Sequence, residues 1–276
     1  MAQYDVVILE AGQSERHYWR ELWRYRELFW VLAERDLSVR YKQTVIGVLW
    51  AIVRPFLTMV VFTIIFGRIA GLRSDGDVPY PLMVFVGILP WTFFSAGLSD
   101  ASNSLVNNER LISKVYFPRL IMPLASVVLA FVDMLISFCI LLALMGWYRF
   151  APDWHILVLP VFAILTIFTI VGPALWIASL NVRYRDFRYI IPFVVQFGLY
   201  VSPVGFSSNV VPGQWRLLYS LNPMVGMIDG FRWCVLRGQS EMYVPGLIAS
   251  VLVAAFFLWF GTNQFRKTER SFADMI

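Results

Sequence analysis

Residues 107–123 read NNERLISKVYFPRLIMP, a polar and basic interlude between two long apolar runs, 81–99 before it and 120–145 after it. A stretch this short between runs this apolar has no room to leave a membrane surface and form a domain. It reads as a cytoplasmic connector, a short docking helix over 107–118 pressed against the bilayer, with Pro118 where the chain turns back. The flanking runs then become spanning helices, and the rest of the chain follows from that assignment.

Composition agrees. Of 276 residues 59% are hydrophobic and 15% charged, with a mean hydropathy of +0.65, far from the balance of a soluble domain. About 20 apolar residues cross a hydrocarbon core roughly 30 Å thick, so the length accommodates six spans and modest loops. The expected fold is an all-α integral membrane protein with six transmembrane helices, an N-terminal amphipathic interface helix, and a re-entrant helical hairpin between spans 5 and 6. The spans fall at 45–66, 81–99, 120–145, 156–180, 190–204 and 244–262. Three segments result: a cytoplasmic N-terminal segment 1–44, a transmembrane domain 45–262 and a basic cytoplasmic tail 263–276.

The net charge of +5 does not point to nucleic acid, because the basic residues sit at the ends of apolar runs. With the N-terminus inside, 16 of the 23 Lys and Arg residues fall in cytoplasmic segments and 6 outside, Arg54 lying within a span. That bias follows the positive-inside rule and places both termini in the cytoplasm. Residues 1–13, MAQYDVVILEAGQ, lack a basic segment followed by an apolar core, so no cleavable signal peptide is expected. Cys139 and Cys234 make neither a metal spacing nor a disulfide framework.

Residues 17–34 place Trp19, Leu22, Trp23, Phe29, Trp30 and Ala33 on one helical face and Arg20, Arg24, Glu27 and Glu34 on the other. This is an interfacial helix, tryptophans at headgroup depth and arginines toward anionic lipid and water. Arg54 in the first span and Asp133 in the third are the intramembrane polar residues. Burying such a charge costs at least ~2.5 kcal/mol, so Arg54 is expected to reach the cytoplasmic side or to pair with Asp100 or Asp133. The second connector, NVRYRDFRY over 181–189, carries Arg183, Arg185, Asp186 and Arg188.

The run 190–204 has only 15 residues and contains Pro192 and Pro203; an ideal helix of that length covers roughly 22 Å, too little for a full crossing. Residues 206–243 are apolar but broken by Asn222, Pro223, Asp229 and Arg232. They read as two short helices turning near Asn222 and Pro223, dipping into the outer leaflet where protein must satisfy the open backbone.

Catalytic signatures are missing from the sequence: His17 and His155 are on opposite sides, and neither HExxH, GxSxG, CxxC nor GxxxxGK[ST] occurs. No metal set is expected. Any ATP hydrolysis must come from another subunit. Six helices enclose little space, so a large substrate would pass between two copies related by an axis along the membrane normal.

In order along the chain, RDLSVRYKQTVIGVLWAIVRPF, NNERLISKVYFPRLIMP, NVRYRDF and LNPMVGMIDGFR resemble the permease subunit of ABC-2 type polysaccharide exporters, which carry O-antigen, teichoic acid or capsule. The resemblance implies a homodimer in a bacterial cytoplasmic membrane, working with two ATPase subunits that hold the ATP and Mg. It also implies a lipid-linked polysaccharide as substrate. Asn107, Glu109, Arg110, Leu111, Lys114, Tyr116 and Phe117 would couple to the ATPase. The second connector would sit near the ATPase or the carrier's phosphates. Sugar rings need flat faces to slide on, and Phe193, Phe197 and Tyr200, with Phe62 and Phe66, recur at helical spacing. The alternatives are an ABC-2 exporter of a small drug or lipid, a membrane-embedded sugar-lipid transferase, and a transporter or channel without an ATPase.

Overall fold

The computed structural model describes residues 18–42, 47–184, 186–269 and 272. Among these the secondary structure is helical throughout, with no strand. Two helices, α1 (Tyr18–Arg24) and α2 (Arg26–Lys42), precede α3 (Gly47–Phe62), which runs into a π-helical turn over Thr63–Ile69. Then come α4 (Tyr80–Asn107), the single turn α5 (Glu109–Ile112), α6 (Ile121–Trp147), α7 (Leu159–Arg183) and α8 (Phe187–Val201). The chain closes with α9 (Gly213–Tyr219), α10 (Pro223–Val235) and α11 (Val244–Glu269). Among the described residues five segments are long and apolar enough to cross a membrane: Leu49–Ile69, Tyr80–Asn107, Ile121–Trp147, Trp154–Arg183 and Val244–Glu269.

The centre of the bundle is α4, which packs against α6 and α7, with α11 against the far side of α7 and α10 wedged among α4, α7 and α11. Pro79 and Pro81 start α4, where a missing amide hydrogen costs nothing. The helix passes through Pro90 and reaches Asn107, eight residues beyond the expected end of the second run at Ser99. It continues because its polar end is satisfied by protein: the Asn103 amide donates to Ser99 O at 2.8 Å and the buried Asn181 amide donates to Asn103 Oδ1 at 2.9 Å. Likewise α7 passes Gly172 and Pro173 without a break.

Glycine is required where α7 and α11 cross. A Cβ on Gly261 would lie 2.0 Å from Gly172 O, and one on Gly172 2.5 Å from Leu258 N. The two backbones touch there with no side chain between them, the close approach that small residues permit in membrane helix pairs.

The single helix expected over 17–34 is divided at Tyr25 into α1 and α2, the second extending to Lys42, while His17 and residues 1–16 lie outside the described residues. The apolar surface of the pair is divided as well. Tyr18, Leu32 and Ala33 are buried while Trp19, Trp23 and Trp30 are exposed. Leu32 and Ala33 are on α2, which packs against α6, whereas Tyr18 is on α1, with the Arg266 guanidinium of α11 5.0 Å from its ring. The fifth run forms α8, 15 residues long but over Phe187–Val201 instead of the expected 190–204, so that it takes in the last three residues of the second connector and ends before 202–204.

Candidate functional site

Both connectors emerge at the same end of the bundle. The first is anchored from within: Ile112 and Phe117 are 5% and 3% exposed, and Leu120 behind them is buried. On that footing Asn107, Glu109, Arg110, Lys114 and Tyr116 are exposed, with Leu111 half-buried. The helix read over 107–118 is confined to Glu109–Ile112, and residues 113–120 are turns and irregular chain. Pro118 does not set that stop; it disfavours the helical conformation of Phe117, which is non-helical after the turn has already ended at Ile112. Asn108 caps the junction: its amide donates to Ser104 O at 2.8 Å, and its Oδ1 accepts from Arg35 of α2 at 2.8 Å.

The second connector is the step from α7 to α8. Arg183 ends α7 with its guanidinium 5.3 Å from the Tyr184 ring centre, and Tyr184 is extended. Arg183, Tyr184, Asp186, Arg188 and Tyr189 are exposed, and Arg185 lies outside the described residues. Asn181 fixes this end to α4, its amide also donating to Ser102 O at 3.1 Å.

Asp133 does not meet Arg54. Its carboxylate pairs with Arg40 of α2 at 2.9 Å and accepts from the Tyr41 hydroxyl, while Arg40 also reaches Asp100 of α4 at 3.4 Å. Burial first, and then the neighbouring Asp133 carboxylate, hold the Tyr41 hydroxyl well above the ordinary range for a phenol, so it remains a donor. Arg54 is exposed on α3.

The five aromatics proposed for a sugar path separate into two groups. On α8, Phe193 and Phe197 stack at 6.1 Å with planes 12° apart, and they are 68% and 60% exposed, with Tyr200 at 60%. Phe62 is buried, pairs edge-on with Phe66 at 5.4 Å, and both rings press on Gly205. These two pack the chain that follows α8 and do not continue its exposed face.

That following chain, 202–207, is non-helical and is held by protein groups. Arg232 of α10, fully buried, donates to Val204 O at 2.9 Å, Phe206 O at 2.8 Å and Met83 O at 3.4 Å. Tyr80 donates to Gly205 O at 2.6 Å, and the Asn222 amide to Ser202 Oγ at 2.9 Å. Asn222 also caps α10, accepting from Met224 N at 3.1 Å just ahead of Pro223 in the first turn. Asp75 completes this end, accepting from Ser207 at 2.9 Å and Ser240 at 2.6 Å.

Sequence reasoning did not find Arg35, Arg40, Tyr41, Asn108, Arg119 or Glu269. Arg119 N donates to Glu269 Oε1 at 2.7 Å, and the Arg119 guanidinium donates to the Glu269 carbonyl, joining the first connector to the end of α11. Arg40 and Tyr41 stand inside the quoted RDLSVRYKQ run, so their presence was visible although their partners were not. Among the described residues no cluster suits a metal ion.

Residues 27–236 match the family model described as ABC-2 type transporter. The O-antigen export system permease protein RfbA of Myxococcus xanthus is 27% identical over 260 residues, 93% of this chain and 98% of that one. Two Klebsiella pneumoniae proteins of the same description are 26% identical over 241 residues and 24% identical over 260 residues. They are matched over 91% and 95% of their own lengths.

Proposed function

The chain belongs to the ABC-2 type transporter family, and from that premise we propose that it is the membrane subunit of an ATP-driven exporter that moves a lipid-linked, O-antigen-like polysaccharide across a bacterial cytoplasmic membrane. The observation that carries this reading is the likeness to O-antigen export permeases along nearly the whole of both chains. A match confined to one motif would speak for the architecture alone. Two copies enclose the conduit, two ATPase subunits supply the hydrolysis, and both termini face the cytoplasm.

In this reading α8 is the fifth of six crossings. Its 15 residues cover about 22 Å, and the non-helical chain at 202–207, its carbonyls taken by Arg232 and Tyr80, completes the path. Buried partners make open backbone tolerable at that depth. The helices α9 and α10 form the re-entrant hairpin over the outer end. The exposed Phe193, Phe197 and Tyr200 face the second copy and offer sugar rings flat surfaces, while Arg183 and Arg188 lie where carrier phosphates enter. The first connector, with Tyr116 exposed above Phe117, is the ATPase docking surface.

Inactivation of the gene tests the reading. The expected result is lipid-linked polysaccharide retained at the inner face of the cytoplasmic membrane, with none at the cell surface. Unaltered surface polysaccharide together with lost efflux of a small drug or lipid would replace it with the small-substrate alternative.

A further inference from the structure

The last helix is tied at both ends to the two regions that the exporter reading assigns to docking and exit. At its lower end Arg119, which closes the first connector, donates its backbone N–H to Glu269 Oε1 at 2.7 Å and its guanidinium to the Glu269 carbonyl. A cation on the last carbonyls of a helix also complements the helix dipole. The tie is reinforced by aromatic packing, with Arg119 5.8 Å from the Phe272 ring and Phe272 against Phe265 at 5.4 Å.

At its upper end α11 packs against the outer hairpin and is hydrogen-bonded to it by a buried hydroxyl. Ser250 Oγ donates to Ser220 O at 2.8 Å and accepts from Gly226 N at 3.2 Å, so a single side chain binds the turn between α9 and α10 and the first turn of α10. Between the two ties lies the backbone contact of Gly172 with Gly261. Glu269 is about 12 Å below Gly261 and Ser250 about 16 Å above it, taking 1.5 Å per residue.

We propose that α11 is the lever that couples the cytoplasmic connector to the outer hairpin, pivoting on α7 where Gly172 meets Gly261. This rests on the exporter reading and adds the route by which ATPase engagement reaches the exit. A displacement of the connector pulls the lower end of α11 through Arg119. The upper end swings the opposite way about the glycine contact, and Ser250 carries the hairpin with it. Glu269 and Ser250 are positioning residues. Rigid elements joined by discrete contacts are the physical means of such coupling, and only a coupled measurement establishes it.

The experiment uses the permease assembled with its ATPase in lipid nanodiscs, with Gln214→Cys on exposed α9 carrying a polarity-sensitive fluorophore in a Cys139→Ala background. Addition of ATP should change the fluorescence. Glu269→Ala should retain ATP hydrolysis within about twofold and lose at least about three-quarters of the fluorescence change. Glu269→Gln, which keeps an oxygen acceptor for Arg119 N, should restore most of it. Ser250→Ala should reproduce the loss by acting at the other end. A full fluorescence change in both Glu269→Ala and Ser250→Ala overturns the lever. No ATP response in the otherwise unaltered complex also overturns it while leaving the exporter reading intact. Failure of any ATPase to assemble with the chain removes the exporter reading itself and the lever with it.

Discussion

Arg40 reaches from α2 to α6 and pairs with Asp133 at 2.9 Å, bringing Tyr41 onto the same carboxylate. The acid near the centre of an apolar run is therefore neutralised by the N-terminal segment, which ties α2 to α6 and, through Asp100 at 3.4 Å, to α4. Both sides of the main pair are partly exposed, at 38% and 22%, so solvent screens the attraction. The expected coupling in a cycle of Arg40→Gln, Asp133→Asn and the double variant is on the order of 1 kcal/mol in thermal unfolding in detergent. A coupling of zero would show that the pair is incidental.

The first connector makes a separable prediction. Tyr116→Ala and Leu111→Ala together should leave insertion and melting temperature near those of the parent and abolish capture of the ATPase in a pull-down. Phe117→Ala removes a buried anchor and should destabilise the protein by about 3 to 5 kcal/mol. If Tyr116→Ala with Leu111→Ala captures the ATPase normally, docking occurs elsewhere.

Arg232 is the centre of the end of the bundle opposite the connectors. Its guanidinium serves three carbonyls at once, a geometry that a lysine ammonium cannot reproduce. Arg232→Lys and Arg232→Met should both lower stability by several kcal/mol, since each leaves buried carbonyls without donors. Melting curves in detergent check this, and parental stability in Arg232→Lys would contradict the fan of hydrogen bonds.

The stacked pair on α8 allows a test of the conduit. Phe193→Ala with Phe197→Ala should change stability by no more than about 1 kcal/mol, because both rings are exposed. Surface polysaccharide should nevertheless fall severalfold. Undiminished export would return these rings to lipid or to simple packing between copies.

Much of this was legible in the sequence where polarity breaks an apolar run. The connector at 107–123, the short α8 and the helix turn at Asn222 and Pro223 were all visible as interruptions in composition. What was not legible is which apolar residue faces what. Phe62 and Phe193 sit in similar runs, yet one is 7% exposed and the other 68%, because helical spacing does not distinguish a neighbour helix from lipid when every face is apolar. The partner of Asp133 was hidden for a different reason. Arg40 lies more than 90 positions away, and only the packing of α2 along α6 brings it closer to the acid than Arg54. Glu269 looked like part of a basic tail until the connector folded back onto it.

The measurement that tests the account most directly is transport in proteoliposomes containing the chain and its ATPase, loaded with a lipid-linked O-polysaccharide on the face that hydrolyses ATP. The account predicts ATP-dependent appearance of the polymer on the opposite face, lost when the ATPase is omitted. Movement that persists without ATP or without the ATPase, or no movement of polymer alongside ATP-driven efflux of a small lipid or drug, would contradict it.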